Sequence, residues 1–240
     1  MLGLNYKLEK LEKAGTPIVV GIVGAGQMGQ GMVSQMHLMV GMNPSIVADI
    51  NIENAKKAFI NAGITEDKIK CTKNVDESDE WIAQGNYVVT EDAKVITESK
   101  KIQVLIEATG VTEVGAKIAL DTIMGKKHLV MLNAETDVVI GPLLKKLADN
   151  AGIVYTGAAG DEPAATKELF DFAKAAGFDV RVIGKGKNNK IDKDCNPDTV
   201  LEEATRRGVT PHMLASFKEG SKTMVEMAVM SNSTGYRSEE

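Results

Sequence analysis

Short apolar runs alternate with amphipathic segments along most of this chain. The apolar runs predict strands at 18–23, 45–48, 69–71, 104–108, 128–132, 153–155 and 179–183. Apolar positions spaced three or four apart predict helices at 27–40, 54–62, 92–99, 112–124, 141–150, 163–176 and 221–230, with another helix starting at Thr210 and Pro211. Residues 74–91 show no clear period apart from an extended stretch at 88–90. Strands that alternate with helices are typical of an α/β fold with a parallel sheet.

Three glycines follow the first predicted strand at a spacing typical of nucleotide-binding turns. Gly24, Gly26 and Gly29 have the pattern G-x-G-x-x-G and stand where a helix is expected to begin. The first glycine permits a tight turn, the second lets the backbone approach a pyrophosphate, and the third lets the helix pack on the strand. The N–H groups and dipole of the helix start then face the phosphates. We therefore expect these glycines, with Gln27 and Met28, to bind a dinucleotide.

An aspartate ends the second predicted strand. Asp49 stands 20 residues after Gly29, where a carboxylate binds the adenosine ribose hydroxyls in dinucleotide-binding folds. The alternative is an aspartate that only caps a turn or helix. A carboxylate here would repel a ribose 2′-phosphate, and Ile50 rather than arginine follows it. NAD is therefore slightly favoured, while Asn51 leaves NADP open.

Two later strands deliver further candidates to the same edge of the sheet. Thr109 and Gly110 follow the strand at 104–108, and Asn133 and Glu135 follow the strand at 128–132. Ligands of open α/β sheets bind beyond the carboxyl ends of the strands. We expect Thr109, Gly110 and Asn133 to lie near the cofactor, on the side of its nicotinamide.

Two adjacent carboxylates follow a turn of small residues. Asp161 and Glu162 stand at the start of the helix predicted at 163–176. Such a pair could bind a divalent cation, orient substrate hydroxyls or transfer protons. The alternative is a charge pair that only stabilises the positive end of the helix dipole.

Three lysines are candidates for binding a negatively charged group. Lys185 and Lys187 lie two apart in a glycine-rich loop that could receive a phosphate or carboxylate, although such a loop is often a solvated surface turn. Lys222 stands four residues before Glu226. It could form a surface pair with that glutamate or polarise a substrate carbonyl.

The composition is that of an ordinary globular protein. The chain has 240 residues, of which 43% are hydrophobic, and a net charge of −5, which predicts no general attraction to nucleic acid or to an anionic membrane. Cys71 and Cys195 lie far apart, which predicts a reducing compartment and no disulfide framework. The charged N-terminus is unlike a secretion signal, and no apolar run reaches membrane-spanning length. A cytoplasmic protein is expected.

Six motifs together resemble one oxidoreductase family. They stand at 23–29, 107–110, 133–135, 160–163, 184–189 and 217–222. In this order they resemble the homoserine-dehydrogenase-like enzymes, which include the deoxyxylulose-phosphate reductoisomerase-like enzymes, from about residue 16 to 235. The resemblance implies a doubly wound Rossmann domain at 1–135 and an α+β catalytic and dimerisation domain at 136–230, with a tail at 231–240. Members usually add a C-terminal SAF domain; this sequence is expected to lack it, either as a truncated form or as a naturally short member. Because the resemblance implies a dimerisation domain, a homodimer is expected.

The resemblance also bears on the substrate. Homoserine dehydrogenases carry a lysine where this chain has Glu135, which argues against homoserine. Reductoisomerase-like members act on a phosphorylated keto sugar with NADPH; the Lys185 and Lys187 loop suits that phosphate, whereas Asp49 followed by Ile50 departs from the usual arginine.

The hypothesis is an NAD(P)-dependent oxidoreductase that moves a hydride to or from a small polar, phosphorylated keto or hydroxy substrate. Glu135 and Asp161 would orient the reacting hydroxyl or a divalent cation, and Glu162 would assist them. Lys185 and Lys187 would bind the anionic end of the substrate, while Lys222 would stabilise developing negative charge. The alternative is a non-catalytic NAD(H)-binding sensor that acts through a partner.

Overall fold

The computed structural model describes residues 3–186 and 189–237 of the chain. These residues belong to two compact units, Met1–Ala158 and Ala159–Glu240. The division lies later than the boundary expected after residue 135, because the chain continues the same sheet up to residue 157.

The first unit is built on a parallel sheet of seven strands. The strands are β1 (Ile18–Val23), β2 (Met42–Ala48), β3 (Ile69–Cys71), β4 (Tyr87–Thr90), β5 (Val104–Glu107), β6 (His128–Met131) and β7 (Tyr155–Gly157). Their order across the sheet is β3-β4-β2-β1-β5-β6-β7. The predicted α/β fold with a parallel sheet is confirmed.

Helices cover both faces of this sheet. They are α1 (Leu4–Lys13), α2 (Gln27–Leu38), α3 (Ile52–Asn61), α4 (Val75–Ala83), α5 (Lys94–Glu98), α6 (Thr112–Met124) and α7 (Ala134–Ala151). Alternate residues of a strand point to opposite faces. Accordingly, Val47 packs with Phe59 of α3 in one buried cluster, while its neighbours Ile46 and Ala48 pack in the other, with Ile118 of α6. Burial on both faces explains why the strands appear as continuous apolar runs.

The sheet reverses its direction of growth beside β1. From β1 the chain first adds β2 on one side, and it later returns to add β5 on the other side. Such a switch point leaves a crevice at the carboxyl ends of the strands, where open α/β sheets bind their ligands. The glycine turn follows β1 directly, so the topology places it at this crevice.

The second unit is helical in the part that the structure describes. Its helices are α8 (Glu162–Ala175), α9 (Leu201–Arg207), α10 (Pro211–Glu219) and α11 (Ser221–Thr234). A small core forms around Cys195, Val200, Ala204 and Leu214. The strand predicted at 179–183 is wrong: within the ranges that the structure describes these residues pair with no strand, and Val182 is 84% exposed. Without that strand, helices are the regular elements of the described residues 159–186 and 189–237, while β7, which lies within the domain expected at 136–230, belongs to the first unit.

Two other boundaries differ from the prediction. Helix α7 begins at Ala134 and not near Pro142, because the Asn133 side chain accepts a hydrogen bond from the Thr136 N–H and caps the helix. Pro142 then lies inside the helix. The unassigned interval 74–91 contains α4 and β4.

No helix in the described ranges 3–186 and 189–237 has the length and apolar character needed to span a membrane.

Candidate functional site

The glycine turn between β1 and α2 has three different environments for its three glycines. Gly24 has a φ of +99°, and a Cβ atom there would lie 2.5 Å from the Ala108 carbonyl oxygen. A Cβ atom at Gly29 would lie 2.0 Å from the Gly24 carbonyl oxygen. At Gly26, no atom of the described residues beyond its chain neighbours lies within 4 Å of the Cβ position. The backbone at Gly26 is therefore open to an approaching group, whereas Gly24 and Gly29 close the turn.

This turn fits the pyrophosphate of a dinucleotide. Helix α2 begins at Gln27 with Gly26 as its N-cap, and the first N–H groups of a helix have no partner within the helix. Gln27 is exposed, and 60% of Met28 is exposed. A phosphate at this helix start would meet donors and a positive dipole end without a side chain in the way. Gln30, which the sequence analysis did not single out, stabilises the turn by donating from Nε2 to the Ala25 carbonyl oxygen at 2.9 Å.

Asp49 is bound to the glycine turn. Its Oδ2 accepts a hydrogen bond from the Ala25 N–H at 2.6 Å, and its Oδ1 accepts from the Asn51 N–H at 2.8 Å. Asp49 is half-buried, whereas the next residue, Ile50, is 93% exposed. The carboxylate thus lies beside the turn, at the end of β2, as its place in the sequence predicts.

The end of β5 carries a buried carboxyl group. Glu107 is fully buried, and its Oε1 accepts a hydrogen bond from the Thr109 N–H at 2.9 Å. Its Oε2 has no hydrogen-bond partner among the residues that the structure describes. Burial raises the pKa of Glu107, and the nearby charge of Glu135 acts in the same direction. Through Oε1, this carboxyl group holds the turn at Thr109 and Gly110. Glu107 was not predicted as a site residue, although a carboxylate at the end of an apolar run could have indicated it.

Asn133 holds together two elements at this edge. While its Oδ1 caps α7, its Nδ2 donates to the Val111 carbonyl oxygen at 3.2 Å. Only 2% of Asn133 is exposed. Both ends of its amide are therefore occupied by the protein, and it fixes the loop after Gly110. Direct cofactor binding by Asn133 stays a prediction. Glu135, two residues later, is half-buried in the first turn of α7.

Tyr155 and Asp137 form a partly buried hydrogen-bonded pair in the first unit. The Tyr155 hydroxyl donates to Asp137 Oδ1 at 2.5 Å. Burial raises the pKa of the Asp137 carboxyl and, with the neighbouring Asp137, raises the pKa of the Tyr155 hydroxyl. The hydroxyl therefore remains a hydrogen-bond donor at any physiological pH.

A polar cluster forms within the second unit. Asp161 and Glu162 begin α8, and Glu226 from α11 joins them so that oxygens of the three carboxyl groups lie within 4.8 Å of one another. Lys185 lies between two of them: its Nζ is 2.8 Å from Glu162 Oε1 and also contacts Glu226 Oε2. Glu226 is only 2% exposed. We call Asp161, Glu162, Lys185 and Glu226 the carboxylate cluster.

The two adjacent carboxyl groups of this cluster differ in their proton affinity. Burial and the neighbouring Glu162 raise the pKa of Asp161, while the charge of Lys222 opposes that shift. The hydrogen bond from Lys185 lowers the pKa of Glu162. Pairs of titratable groups whose surroundings separate their pKa values are suited to acid and base roles. The surroundings therefore favour the protonated form of Asp161 and the ionised form of Glu162.

Lys185 has a different environment from the one predicted. Lys185 was expected in an exposed anion-binding loop, yet its charge is matched by Glu162 and Glu226. Its ammonium thus contacts two of the three carboxyl groups that lie close enough together to bind a metal ion. Glu226, the predicted partner of Lys222, forms an ion pair with Lys185. The charge of Lys222 opposes the rise that burial causes in the pKa of Asp161. Lys187 lies outside the described residues. The sequence did not reveal Glu226 as a member of this cluster, because its partners are distant along the chain.

Replacing Lys185 with methionine is expected to lower the free energy of unfolding by about 3 kcal/mol. The variant leaves the Glu226 carboxylate buried without its cation, and breaking a buried pair costs far more than breaking an exposed one. Urea unfolding followed by circular dichroism measures the change. Lys167→Met is the matched control, because Lys167 pairs with Asp171 on the exposed side of α8. It should change stability by less than about 0.5 kcal/mol. Equal losses in the two variants would contradict the buried pairing.

One family model matches the C-terminal part of the chain. Residues 160–240 match the model described as "Oxidoreductase DRL, catalytic domain". This third of the chain is similar to an oxidoreductase catalytic domain. The match includes all four members of the carboxylate cluster, and it supports the oxidoreductase class predicted from the sequence. The finer resemblance to homoserine dehydrogenases or reductoisomerases stays a prediction. No curated protein sequence matches the chain significantly.

Several solved structures match part of this chain at low sequence identity. The WlbA dehydrogenase from Bordetella pertussis, in complex with NADH and UDP-GlcNAcA, is 16% identical with a TM-score of 0.47, and the match covers 67% of this chain and 42% of that one. Scyllo-inositol dehydrogenase from Lactobacillus casei, with NAD(H), is 14% identical with a TM-score of 0.44, covering 66% and 42%. Biliverdin reductase from Synechocystis, with biliverdin and NADP+, is 18% identical with a TM-score of 0.43, covering 65% and 40%. The chain thus spans about two fifths of the length of these structures.

Proposed function

We propose that this chain is an NAD(P)-dependent oxidoreductase that moves a hydride to or from a small polar keto or hydroxy substrate. The observation that carries the proposal is the glycine turn with its open backbone at Gly26, beside a carboxylate at Asp49 that contacts the turn. The similarity of residues 160–240 to an oxidoreductase catalytic domain supports the reaction class.

The residues that would hold the cofactor belong to the first unit. Gly24, Gly26 and Gly29, with Gln27 and Met28, would surround the pyrophosphate, and Asp49 would bind the adenosine ribose. A nicotinamide cofactor bound there would supply the hydride donor or acceptor. Thr109 and Gly110, held by Glu107, would line the nicotinamide side. The protein's part is to orient these groups and exclude water.

Asp49 supports NAD over NADP. We expect NADH to bind at least about tenfold more tightly than NADPH, a difference of about 1.4 kcal/mol, because the carboxylate repels a 2′-phosphate. Calorimetric titration with NAD, NADH, NADP and NADPH measures this preference. Asp49→Asn should narrow the difference, whereas Asp76→Asn, at an exposed position on α4, should leave it unchanged. Tighter binding of NADPH than of NADH would contradict our interpretation of Asp49.

The carboxylate cluster would provide the proton chemistry. Reduction of a carbonyl requires a proton at the oxygen, and oxidation of a hydroxyl requires its removal. Asp161, with its raised pKa, is the proposed acid and base, and Glu162 remains ionised beside Lys185. Lys222, whose charge acts on Asp161, would stabilise negative charge on the substrate oxygen. Glu135 stays a further candidate in the first unit for orienting a hydroxyl.

The carboxylate cluster supports a substrate with a carbonyl or hydroxyl group. A phosphate on the substrate was expected to bind Lys185 and Lys187, but Lys185 is already paired with two carboxylates. A phosphorylated substrate and a divalent cation therefore remain proposals that the activity screen tests. A homodimer is a further proposal, which light scattering of the full chain tests. Homoserine is disfavoured by Glu135.

A single series of measurements tests the proposed function. Once cofactor binding is measured, keto acids, hydroxy acids and sugar phosphates are screened for NADH oxidation or NAD reduction, with and without Mg²⁺. Binding of NADH together with turnover of one substrate class is the expected result. Binding without any turnover would favour a nucleotide sensor. Failure of all four dinucleotides to bind would refute the proposal.

A further inference from the structure

A cavity of about 790 Å³ lies at the edge of the sheet opposite the glycine turn. Its lining comes from residues within 94–102, which precede β5, and within 121–127, which precede β6. The glycine turn, Asp49 and Thr109 follow strands instead. Because all seven strands are parallel, the two sets of residues lie at opposite ends of the strands. The volume is in the range of small-molecule sites.

Lys127 is the unusual member of this cavity. It lines the cavity although only 7% of its surface is exposed. Among the described residues it forms no hydrogen bond or ion pair through its side chain. Lysine is almost never buried to this extent without a partner. Burial lowers the pKa of its ammonium, and the charge of Asp79 opposes that shift. A bound anion would supply the missing partner.

The wall beside Lys127 is held firmly by hydrogen bonds. The Ser99 hydroxyl donates to Asp79 Oδ1 at 2.5 Å, and the Lys100 N–H donates to Asp79 Oδ2 at 2.9 Å. The Ile102 N–H donates in turn to Ser99 Oγ at 3.3 Å. Both oxygens of Asp79 are therefore engaged with the wall. These hydrogen bonds hold the loop from Ser99 to Ile102 in place, and they engage Asp79 with the loop rather than with Lys127.

The charges around the cavity favour an anion. Four lysines and two carboxylates line it: Lys94, Lys100, Lys126, Lys127, Glu98 and Asp121. The lining thus carries a net charge of +2 in a chain whose net charge is −5. A phosphate dianion matches this excess, and lysine ammonium groups bind phosphate as point charges. We propose that this cavity binds a small phosphate-bearing molecule, with Lys127 as its buried anchor. The site is separate from the proposed cofactor site.

Calorimetric titration with inorganic phosphate and with pyrophosphate tests the site on the full chain. We expect phosphate to bind with a dissociation constant on the order of 1 mM, as an anion of this size allows, and pyrophosphate to bind more tightly. Lys127→Met should weaken binding about tenfold or more, because a charge-assisted hydrogen bond is lost. The affinity of phosphate for the glycine turn would not change in this variant. The difference in phosphate affinity between wild type and variant therefore measures binding in the cavity alone.

Two further variants keep the test decisive. Lys117→Met changes an exposed lysine on α6 outside the cavity and should bind phosphate like the wild type. Lys100→Met changes an exposed lining residue, so it should weaken binding without disturbing the fold, which covers the case in which Lys127→Met does not fold. Acetate, with a single charge, should bind more weakly than phosphate. Equal phosphate affinity in Lys100→Met, Lys127→Met and Lys117→Met would overturn the proposal, as would acetate binding as tight as that of phosphate.

Discussion

Replacing Gly26 with valine will weaken NADH binding by about 100-fold, or about 2.7 kcal/mol, and leave the fold intact. The side chain would enter open space, since no described atom beyond its chain neighbours lies within 4 Å of the Cβ position. The backbone at Gly26 has φ −68° and ψ −171°, which valine adopts without strain. The new methyl groups would instead occupy the space through which a pyrophosphate approaches the turn. Calorimetric titration with NADH measures the loss.

Gly31→Val is the matched control for this variant. Gly31 lies on α2, whose N-cap is Gly26, and it is exposed. Apart from its chain neighbours and the backbone of its own helix, no described atom lies within 4 Å of its Cβ position. Valine there is expected to leave NADH affinity unchanged, since it adds the same side chain away from the turn. If both variants bind NADH as tightly as the wild type, the open face of Gly26 is not where the dinucleotide binds.

The second large effect is expected at Asp161. Asp161→Asn should lower turnover by about 100-fold or more on the substrate that the screen identifies, because asparagine cannot exchange a proton with the reacting oxygen. NADH affinity should stay the same, since the glycine turn belongs to the other unit. Steady-state kinetics at saturating NADH, together with calorimetry, separate the two quantities. The amide keeps the shape of the carboxyl group, so α8 should begin as before.

Asp171→Asn provides the comparison for the Asp161 variant. Asp171 lies on α8 as well, but it is exposed and pairs with Lys167. Its replacement should leave turnover within about twofold of the wild type, the scale of an exposed ion pair. Unchanged turnover in Asp161→Asn would remove Asp161 from the proposed proton chemistry, even if the cofactor still binds.

Most of the sheet could be predicted from the sequence because parallel strands are buried on both faces. That burial produces continuous apolar runs, and glycines mark the turns after them. Helix α4 was missed for the opposite reason: its buried positions include Ser78 and Asp79, so it lacks an apolar stripe. Asp79 is buried there to bind Ser99 and the Lys100 N–H, partners about 20 residues away that no local pattern reveals.

The strand predicted at 179–183 failed on tertiary grounds. Its alternation of apolar and polar residues is suitable for a strand, but a strand also needs a neighbour with which to pair. In the structure, this segment contributes its Val180 carbonyl oxygen to the Tyr236 hydroxyl instead. The local pattern is compatible with a strand, but among the described residues the segment has no sheet edge with which to pair.

The two parts of the candidate site differ in how far they could be predicted. The glycine turn and Asp49 are linked by a fixed spacing along one strand-helix-strand unit, so local geometry determines them. Lys185 meets Glu162 and Glu226 across separations of 23 and 41 residues, which only the packing of α8 and α11 brings together. A lysine in a glycine-rich loop therefore suggested an exposed anion site, whereas tertiary packing placed it in a buried pair.

The hydrogen bond from the Ala25 N–H to Asp49 has a consequence for altering the cofactor preference. The carboxylate that would discriminate against a 2′-phosphate also braces the loop that would hold the pyrophosphate. Exchanging it for a smaller or basic residue to accept NADP would remove that brace. Substitution at this position alone would therefore improve binding of the 2′-phosphate but weaken binding of the pyrophosphate. A second substitution that restores an acceptor for the Ala25 N–H would be needed to recover both.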